Sequence, residues 1–586
     1  MEKRWSIKKL ADEATVKKLS IELSIDELIA NMLVNRGVNN FEAAKKFFRP
    51  SLSDLHDPFL MKDMDKAVLR LEQAIKNKEK VLIYGDYDVD GTTAVALVYT
   101  FLKKLPLFYS TEDEIGSFSK DENSFIGYYI PDRYTEGYGI SFQGIDYAKE
   151  NNFTLIIALD CGIKANDKVD YANNKNIDFI ICDHHRPGNL LPNAIAVLDP
   201  KRIDCNYPFD ELCGCGIGFK LIQGFAQKNN IPFENLLEYL DLTAISIASD
   251  MVPIVNENRI LCFFGLDQIN IKPRNGIKAI LELANIKKKI TINELVFTIG
   301  PRINAAGRIQ TGRNAVELLI SENDIHAKKS GVTIDATNIE RRALDLTITE
   351  QALQMIDTDS ELIKRKSTVL FHPNWHKGVI GIVASRLIEK YYRPTIILTE
   401  SNGKATGSAR SVKDFDVYNA IESCSDLLEQ FGGHKYAAGL TMKLENLAAF
   451  KERFEEVVSA TIQDYMLVPE IIIEAEMDLK DITPKFMRIL KQFAPFGPEN
   501  MSPVFITKGL IDKGNARIVG NNHLKMDLQA PEIPQPCFSS IAFAQAHHFD
   551  DVFQKKLFNA CYAIEENEFN GKTTLQLNVK DMKVCL

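Results

Sequence analysis

The chain has 586 residues, 45% of them hydrophobic and 25% charged, which are ordinary values for a globular protein of about three or four domains. It has no apolar run of membrane-spanning length, no apolar signal core near its N-terminus and no disulfide framework in its ten scattered cysteines. We therefore expect a reduced, cytoplasmic protein that does not enter a membrane. The net charge of −9 argues against a protein that coats nucleic acid over its whole surface.

Residues 1–78 are predicted to be mostly helical, and the next region opens on an apolar strand at 81–83. Three aspartates follow that strand at alternate positions, Asp86, Asp88 and Asp90. Alternate residues of an extended chain point to one face, so these carboxylates would repel one another unless cations lie among them. A solvated acidic turn is the competing interpretation. The position at the carboxyl end of a predicted strand favours a metal site instead.

Residues 79–262 alternate apolar strands with helices, the pattern of a parallel sheet. Further acidic and histidine residues follow two of these strands, at 155–159 and 179–182, and one helical run at 242–249. They are Asp160, the triplet Asp183, His184 and His185, and Asp250. Any one of these positions could arise by chance, but their recurrence at successive element ends indicates one mixed oxygen and nitrogen site. Such ligands suit Mn²⁺ or Mg²⁺ better than metals that prefer sulfur.

The rest of the chain is predicted to hold three further regions. Residues 263–365 are largely helical and end in a long polar helix near 339–355, of the kind that bridges two domains. Residues 366–465 again mix strands with helices. From 466 to 586 the pattern changes to short β-rich runs. They suit an OB-fold, a β-barrel that commonly binds single-stranded nucleic acid. These runs are 470–475, 504–506, 524–528, 538–543 and 573–579.

The order of the motifs D-x-D-x-D-G, D-C-G, D-H-H and S-D resembles that of the DHH phosphoesterase superfamily. Four later motifs narrow the resemblance to the RecJ family of single-strand-specific 5′→3′ DNA exonucleases, and it covers nearly the whole chain. These motifs are G-P-R-I-N-A-A-G-R from Gly300, W-H-K-G-V-I-G-I-V-A-S-R from Trp375, G-S-A-R-S from Gly407 and G-G-H-K-Y-A-A-G from Gly432. The resemblance makes 79–262 the DHH catalytic domain, 366–465 the DHH-associated α/β domain and 466–586 the OB-fold DNA-binding domain.

The resemblance implies an enzyme that degrades single-stranded DNA 5′→3′ to 5′-mononucleotides in DNA repair and recombination. Hydrolysis of the phosphodiester would use two divalent ions, Mn²⁺ or Mg²⁺. By resemblance, Asp88 and Asp160 would hold one ion, and Asp160 would be shared with the second. The ligands of that second ion would be Asp90, Asp160, His184 and Asp250. Asp86 would complete or orient the ligands of the first ion, and His185 would contact the scissile phosphate.

The resemblance also implies a set of DNA contacts. Arg133 would grip a backbone phosphate, and Tyr138 would stack on a base, although an aromatic there could equally fill the core. Ser408 and Arg410 would hold a 5′-phosphate, against the alternative of an ordinary turn, and His434 would line the same pocket. Further phosphate contacts would come from Arg302, Asn304 and Arg308.

Three positions depart from the family pattern. Related pyrophosphatases have a histidine where this chain has Tyr84, so the first ion's ligands must be completed differently. The segment 495–500 resembles the entry motif of the RecJ barrel, but Glu499 stands where a glycine is usual, so we expect a different local turn. Residues 110–123 form an acidic insertion, which we expect to be surface decoration rather than a gate for DNA.

Two other functions compete with the exonuclease. A different DHH enzyme, acting on short oligonucleotides, cyclic dinucleotides or pyrophosphate, would generally be shorter and lack the barrel. A non-catalytic scaffold on the same fold would have lost ligand residues, whereas every ligand position except Tyr84 carries a competent residue. The resemblance implies a helicase and a single-strand binding protein as partners, although the sequence shows no docking motif for them. We expect a monomer; the choice of metal and activity on RNA stay open.

Overall fold

The structure, a computed structural model, describes residues 2–108, 125–531, 536–569 and 572–585. The acidic insertion at 110–123 lies outside the described residues. The chain divides into two units. The central unit comprises Lys45–Arg342 and Phe493–Met501, and the terminal unit comprises the chain up to Ala44, Ala343–Gln492 and the chain from Ser502 onward.

The chain begins with a short strand and a helical region. Asp12 caps the first helix, because its carboxylate accepts a hydrogen bond from the Thr15 amide at 2.8 Å. The elements of this region are β1 (Arg4–Ile7), α1 (Glu13–Leu23), α2 (Glu27–Val34) and α3 (Phe41–Phe48).

The central unit is built on a five-stranded parallel sheet. Its strands are β2 (Lys80–Gly85), β3 (Ile126–Tyr129), β4 (Phe153–Leu159), β5 (Asp178–Cys182) and β6 (Ala196–Leu198). Their order is β3-β2-β4-β5-β6, and all neighbours run parallel. The helices that alternate with them are α4 (Met64–Lys76), α5 (Val89–Phe108), α6 (Phe142–Glu150) and α7 (Asn166–Asn173). Successive side chains of β2 enter the cores on opposite faces, as Ile83 and Tyr84 show, because helices cover both faces.

A helical region follows the sheet. Its helices are α8 (Gly214–Lys228), α9 (Leu240–Asp250), α10 (Asn256–Ile271), α11 (Asn275–Leu283), α12 (Ile292–Glu294), α13 (Gly300–Ile309) and α14 (Arg313–Leu319). One π-helical turn, Leu295–Ile299, joins α12 to α13. The predicted long helix exists but is longer than expected: α15 spans Asp324–Asp357, a length of 34 residues.

The terminal unit contains a second sheet of five strands. They are β7 (Thr368–Phe371), β8 (Thr395–Ser401), β9 (Lys404–Arg410), β10 (Gln430–His434) and β11 (Ala437–Lys443), in the order β10-β11-β9-β8-β7. Only the β7–β8 pairing is parallel. The accompanying helices are α16 (Ser360–Lys364), α17 (Ile380–Lys390), α18 (Val417–Glu422) and α19 (Leu447–Thr461).

The C-terminal part forms a barrel. Strand β12 (Glu470–Ile473) precedes the barrel sheet, whose strands are β13 (Ala475–Glu476), β14 (Phe505–Asp512), β15 (Arg517–Val519), β16 (His523–Gln529), β17 (Phe538–Ala542), β18 (Phe558–Phe569) and β19 (Lys572–Val584). The helices of this part are α20 (Pro484–Leu490) and α21 (Phe549–Phe553). The order β14-β18-β19-β17-β16 closes on itself, since β16 also pairs with β14. Strand β1 pairs in parallel with β12.

The predicted fold class is confirmed: a parallel α/β sheet, a second α/β sheet, a long connecting helix and a C-terminal β-barrel. In the part of the chain that the structure describes, no helix has the length and apolar character needed to cross a membrane.

Candidate metal centre

The carboxyl edge of the parallel sheet gathers the predicted ligands. Strands β2, β4 and β5 are neighbours, and the aspartate and histidine motifs follow each of them directly. Asp250 is the last residue of α9. A Cβ built on Gly214, the first residue of α8, would lie 2.6 Å from the Cβ of Asp160, so only glycine allows α8 to approach this edge so closely.

His184 lies at the centre of the cluster. Its Nε2 atom is 3.2 Å from Oδ1 of Asp160, 3.6 Å from Oδ2 of Asp90 and 3.7 Å from Oδ2 of Asp250. Two sets of three side chains have ligand atoms within 4.8 Å of one another: Asp160, His184 and His185, and Asp90, His184 and Asp250. The structure thus brings together all four residues predicted to hold the second ion.

The predicted ligands of the first ion are arranged less tightly. Among the described residues, neither set includes Asp86 or Asp88. Asp88 Oδ1 accepts a hydrogen bond from the Gly91 amide at 3.0 Å, and Asp86 Oδ1 accepts one from the Gly139 amide at 3.3 Å. The second carboxylate oxygen of Asp86 is buried and has no hydrogen-bond partner among the described residues.

The electrostatics of the cluster fit a divalent cation. Burial raises the pKa values of Asp86, Asp160 and Asp250 well above the ordinary range, and the charges of neighbouring aspartates raise them further. Burial lowers the pKa of His184 to about 4, so its imidazole is neutral and offers a lone pair. Carboxylate oxygens around a neutral imidazole form a donor set suited to Mn²⁺ or Mg²⁺.

Asp90 is held in place by the start of α8. Its carboxylate accepts hydrogen bonds from the Gly214 and Cys215 amides, both at 2.7 Å, and from Ser246 Oγ at 2.5 Å. The two amides lie at a helix N-terminus, where backbone donors and the helix dipole favour a negative charge. No pattern in the sequence indicates these contacts, because the residues lie far from Asp90 along the chain.

His185 is oriented from both sides. Its Nδ1 atom lies 2.8 Å from Asp183 Oδ1, and its Nε2 atom lies 3.2 Å from the Tyr138 hydroxyl. The Asp183 carboxylate also accepts the amides of His184 at 2.8 Å and Ile163 at 2.9 Å, which fixes it rigidly. Although burial opposes it, the Asp183 hydrogen bond raises the pKa of His185 to about 9. Sequence reasoning missed the orienting role of Asp183, although the residue is part of the D-H-H motif.

The Tyr84 hydroxyl serves a loop rather than the cluster. It donates to the Gly139 carbonyl at 3.0 Å and accepts from the Ser141 amide at 3.1 Å. Its ring stacks on Tyr129 with a centroid distance of 5.3 Å. Tyr84 therefore anchors the segment that immediately follows Tyr138.

Among the predicted DNA-contact residues of the central unit, Arg133 follows strand β3, and three others lie on helix α13. The Arg133 guanidinium lies over the Tyr87 ring, 4.7 Å from its centroid. Helix α13 packs against the segment 86–90 that carries the three aspartates: a Cβ on Gly307 would lie 2.3 Å from the Tyr87 carbonyl oxygen. This helix also carries Asn304 and Arg308, which share one face at a spacing of i, i+4. Arg302, on the same helix, forms an ion pair with Asp335 at 2.8 Å.

In the terminal unit, Ser408, Arg410 and His434 lie on one face of the second sheet. Arg410 pairs with Ala437 on β11, and Ala437 pairs with His434 on β10. Arg410 donates a hydrogen bond to Ser408 Oγ at 2.9 Å. A Cβ on Gly381, in the first turn of α17, would lie 2.8 Å from the Arg410 guanidinium and 2.9 Å from Ser408 Oγ. A hydroxyl, a guanidinium and a helix N-terminus therefore meet at one place.

Family models and known proteins match this chain along most of its length. The model of the DHH family, N-terminal domain, matches residues 80–247, that of the DHHA1 domain matches 364–460 and that of the RecJ OB domain matches 473–581. A single-stranded-DNA-specific exonuclease RecJ from Bacillus subtilis is 34% identical over 99% of this chain and 71% of its own length. Its Escherichia coli counterpart is 30% identical over 95% of each chain.

A solved structure has a similar fold. The crystal structure of RecJ in complex with Mn²⁺ from Thermus thermophilus superposes with a TM-score of 0.82 at 25% identity, over 100% of this chain and 80% of that one. RecJ from that organism has also been crystallised with Mg²⁺.

Proposed function

The chain belongs to the RecJ family of single-stranded-DNA-specific exonucleases, and from this membership we propose that it degrades single-stranded DNA 5′→3′ to 5′-mononucleotides. The hydrolysis would use two divalent ions and serve DNA repair and recombination. The observation that supports this most directly is the cluster of three carboxylates around the Nε2 atom of His184.

The acidic and histidine ligands divide between two ion sites. Asp90, His184 and Asp250, with Asp160, would hold one ion, and Asp88 with Asp160 would hold the other. Asp86 would complete or orient the ligands of the ion held by Asp88 and Asp160. When bound, Mn²⁺ or Mg²⁺ lowers the pKa of a coordinated water and stabilises charge on the attacking and leaving oxygens.

The protein's own groups position the substrate. His185, held by Asp183 and Tyr138, would stabilise the charge that develops on the scissile phosphate. Arg133, Asn304 and Arg308 would bind the DNA backbone beside the segment 86–90. Arg302, already paired with Asp335, would contribute less. The ring of Tyr138 would stack on a base while its hydroxyl forms a hydrogen bond with His185.

We propose that Ser408, Arg410 and His434 bind the 5′-phosphate. The Ser408 hydroxyl and the Arg410 guanidinium lie at the first turn of α17, where anion binding is favoured. A 5′-terminal phosphate carries more negative charge than an internal phosphodiester, so this charge distinguishes the end of a strand from its interior. Recognition of this group would make the enzyme an exonuclease with 5′→3′ polarity.

We place the enzyme in the cytoplasm, as a monomer that works with a helicase and a single-strand binding protein. All ten cysteines are free thiols, which supports a reducing compartment. Of the alternatives, a smaller DHH enzyme is disfavoured by the match of the RecJ OB domain at 473–581. A scaffold protein is disfavoured by the complete set of ligand residues around His184.

The test is digestion of a 3′-labelled single-stranded DNA that carries a 5′-phosphate, in Mn²⁺, beside a blunt duplex and a single-stranded RNA. We expect stepwise shortening of the single-stranded DNA, abolished by EDTA, with the duplex intact. Tight binding of the single strand without cleavage would instead support the scaffold function. The RNA substrate shows whether the 2′-hydroxyl is tolerated.

A further inference from the structure

The segment Phe493–Met501, which we call the 493–501 loop, belongs to the central unit although the residues on both sides of it belong to the terminal unit. It corresponds to the predicted barrel entry motif. The loop is closed by its own hydrogen bonds. Gly497 and Asn500 exchange backbone hydrogen bonds at 3.1 and 2.9 Å, and the Asn500 side-chain amide donates to the carbonyls of Phe493 at 2.8 Å and Pro495 at 2.9 Å.

Arg259, on α10, grips this loop through backbone carbonyls. Its guanidinium donates to the carbonyl oxygens of Phe493 at 2.8 Å, Ala494 at 3.0 Å and Pro495 at 3.3 Å. It also donates to the Phe47 carbonyl at 3.0 Å and lies 4.0 Å from the centroid of the Phe47 ring. Arg259 is only 4% exposed. A planar fork with five N–H donors can satisfy so many carbonyls at once, and a lysine ammonium with three donors cannot.

The same loop fixes the chain just beyond Asp250. The Pro498 carbonyl accepts a hydrogen bond from the Ile254 amide at 2.8 Å. A Cβ on Gly497 would lie 2.4 Å from Cγ1 of Ile254, which is fully buried. From the other side, the Asn258 side-chain amide donates to the Pro253 carbonyl at 3.0 Å. The connection between α9 and α10 is therefore held from both sides.

We propose that the 493–501 loop and Arg259 position Asp250, and so set the affinity for the ion that Asp90, His184 and Asp250 would hold. The proposal rests on the metal centre of the proposed function. Asp250 ends its helix, so its carboxylate can stay aimed at His184 only if the residues that follow it stay in place. Arg259 and Gly497 act as positioning residues for this carboxylate.

Mn²⁺ binding by the full-length protein without DNA tests this, with free Mn²⁺ measured by electron paramagnetic resonance. The variants are Arg259→Lys and Gly497→Ala, with Asp250→Ala as the reference for a lost ligand. We expect Arg259→Lys and Gly497→Ala each to lower the affinity for one of the two Mn²⁺ ions by about 10-fold. This is the lower end of the range for residues that orient a metal ligand. The other ion should bind as in the wild type.

The matched control is Arg393→Lys. Arg393 is also a buried arginine that donates to backbone carbonyls, those of Ile363 and Arg365, but it lies in the terminal unit. We expect this variant to unfold at a lower temperature and to bind Mn²⁺ normally.

Normal Mn²⁺ affinity in Arg259→Lys and Gly497→Ala, together with a lower unfolding temperature, would overturn the proposal and leave the loop a purely structural element. If Arg259→Lys does not fold, Gly497→Ala decides alone, since it adds a single methyl group beside Ile254. Absence of Mn²⁺ binding by the wild type would overturn the proposed function itself, and the positioning role with it.

Discussion

The two sheets hold their functional side chains in different ways. At the carboxyl edge of the parallel sheet, Asp90 and Asp183 are each locked by several backbone amides, and His184 is buried among carboxylates. On the second sheet, Arg410 and His434 lie on a half-open face whose neighbouring positions are alanine and glycine. The first arrangement is suited to small ions, and the second leaves room for a larger group.

This difference has a physical origin. A cluster of like charges is stable only when each carboxylate is held against repulsion, so the metal centre needs a rigid surround of donors. A guanidinium and a hydroxyl at a helix N-terminus form a stable anion site even without the anion, because water solvates both groups when the site is empty. Substitutions at the first sheet should therefore affect catalysis, and those at the second should affect end recognition.

The largest effect is expected from Asp160, the proposed shared ligand of the two proposed ion sites. Asp160→Ala should abolish cleavage and leave binding of single-stranded DNA nearly unchanged, because Asp160 Oδ1 lies 3.2 Å from the central His184 nitrogen. Single-turnover cleavage and fluorescence anisotropy measure the two properties separately. Asp146→Ala, which removes a surface carboxylate of the same unit paired with Lys175, is the control and should cleave normally. Retained cleavage by Asp160→Ala would contradict the two-ion scheme.

The corresponding change on the second sheet is Arg410→Ala. It should leave cleavage at saturating substrate nearly intact and remove the preference for a 5′-phosphate over a 5′-hydroxyl. The lost discrimination should be about 1.5–3 kcal/mol, the usual contribution of a hydrogen bond to a charged group. The ratio of kcat/KM for the two substrates measures it. Arg453→Ala, at an exposed ion pair of the same unit, is the control. An unchanged ratio in Arg410→Ala would place end recognition elsewhere.

The convergence of the residues of the candidate metal centre was largely predictable, because they follow the ends of strands that are strongly apolar and adjacent in a parallel sheet. Asp86, Asp88, Asp90, Asp160 and the D-H-H triplet are adjacent along the chain to such strands, so their convergence needs only the sheet order. Contacts made across the fold were not predictable in this way. The amides of α8 that hold Asp90 carry no side-chain signal.

The barrel shows the same limit. The predicted β-rich runs omit strand β18, which spans Phe558–Phe569 and pairs with β19 along most of its length. Its second half reads Glu565-Glu566-Asn567-Glu568, a composition of low β propensity. Pairing with β19 in a long hairpin outweighs that local preference. The π-helical turn Leu295–Ile299 also has no marker in the sequence that we could identify.

A smaller effect is expected at Tyr138. Two substitutions there test its hydroxyl contact with His185 and the proposed stacking of its ring on a base separately. Tyr138→Phe removes the hydroxyl that contacts His185 at 3.2 Å and should lower kcat by the equivalent of about 0.5–1.5 kcal/mol. Tyr138→Ala also removes the ring. If the ring stacks on a base, this variant should bind DNA ~1–3 kcal/mol more weakly than Tyr138→Phe. DNA affinity that is equal in the two variants would contradict stacking and leave Tyr138 as a partner of His185 alone.

The smallest expected effect concerns the 493–501 loop, at the position where the family usually has glycine. The backbone of Glu499 is left-handed there, with a φ of 61°. The glutamate thus adopts a conformation that glycine adopts more readily, and the expectation of a different local turn stays a prediction. A left-handed conformation costs a residue with a side chain about 1–2 kcal/mol, and glycine gives part of this back through its greater freedom in the unfolded chain.

Glu499→Gly should therefore raise the free energy of unfolding by less than about 1 kcal/mol, measured by denaturant titration. Glu499→Ala keeps the side-chain strain and removes only the carboxylate, so it should give no such gain. Equal stabilisation by both variants would show that the charge of Glu499, rather than its backbone, is unfavourable. Because Arg259 and Asn500 hold the loop independently of this residue, Mn²⁺ affinity should stay unchanged in either variant, which distinguishes relief of local strain from the positioning of Asp250.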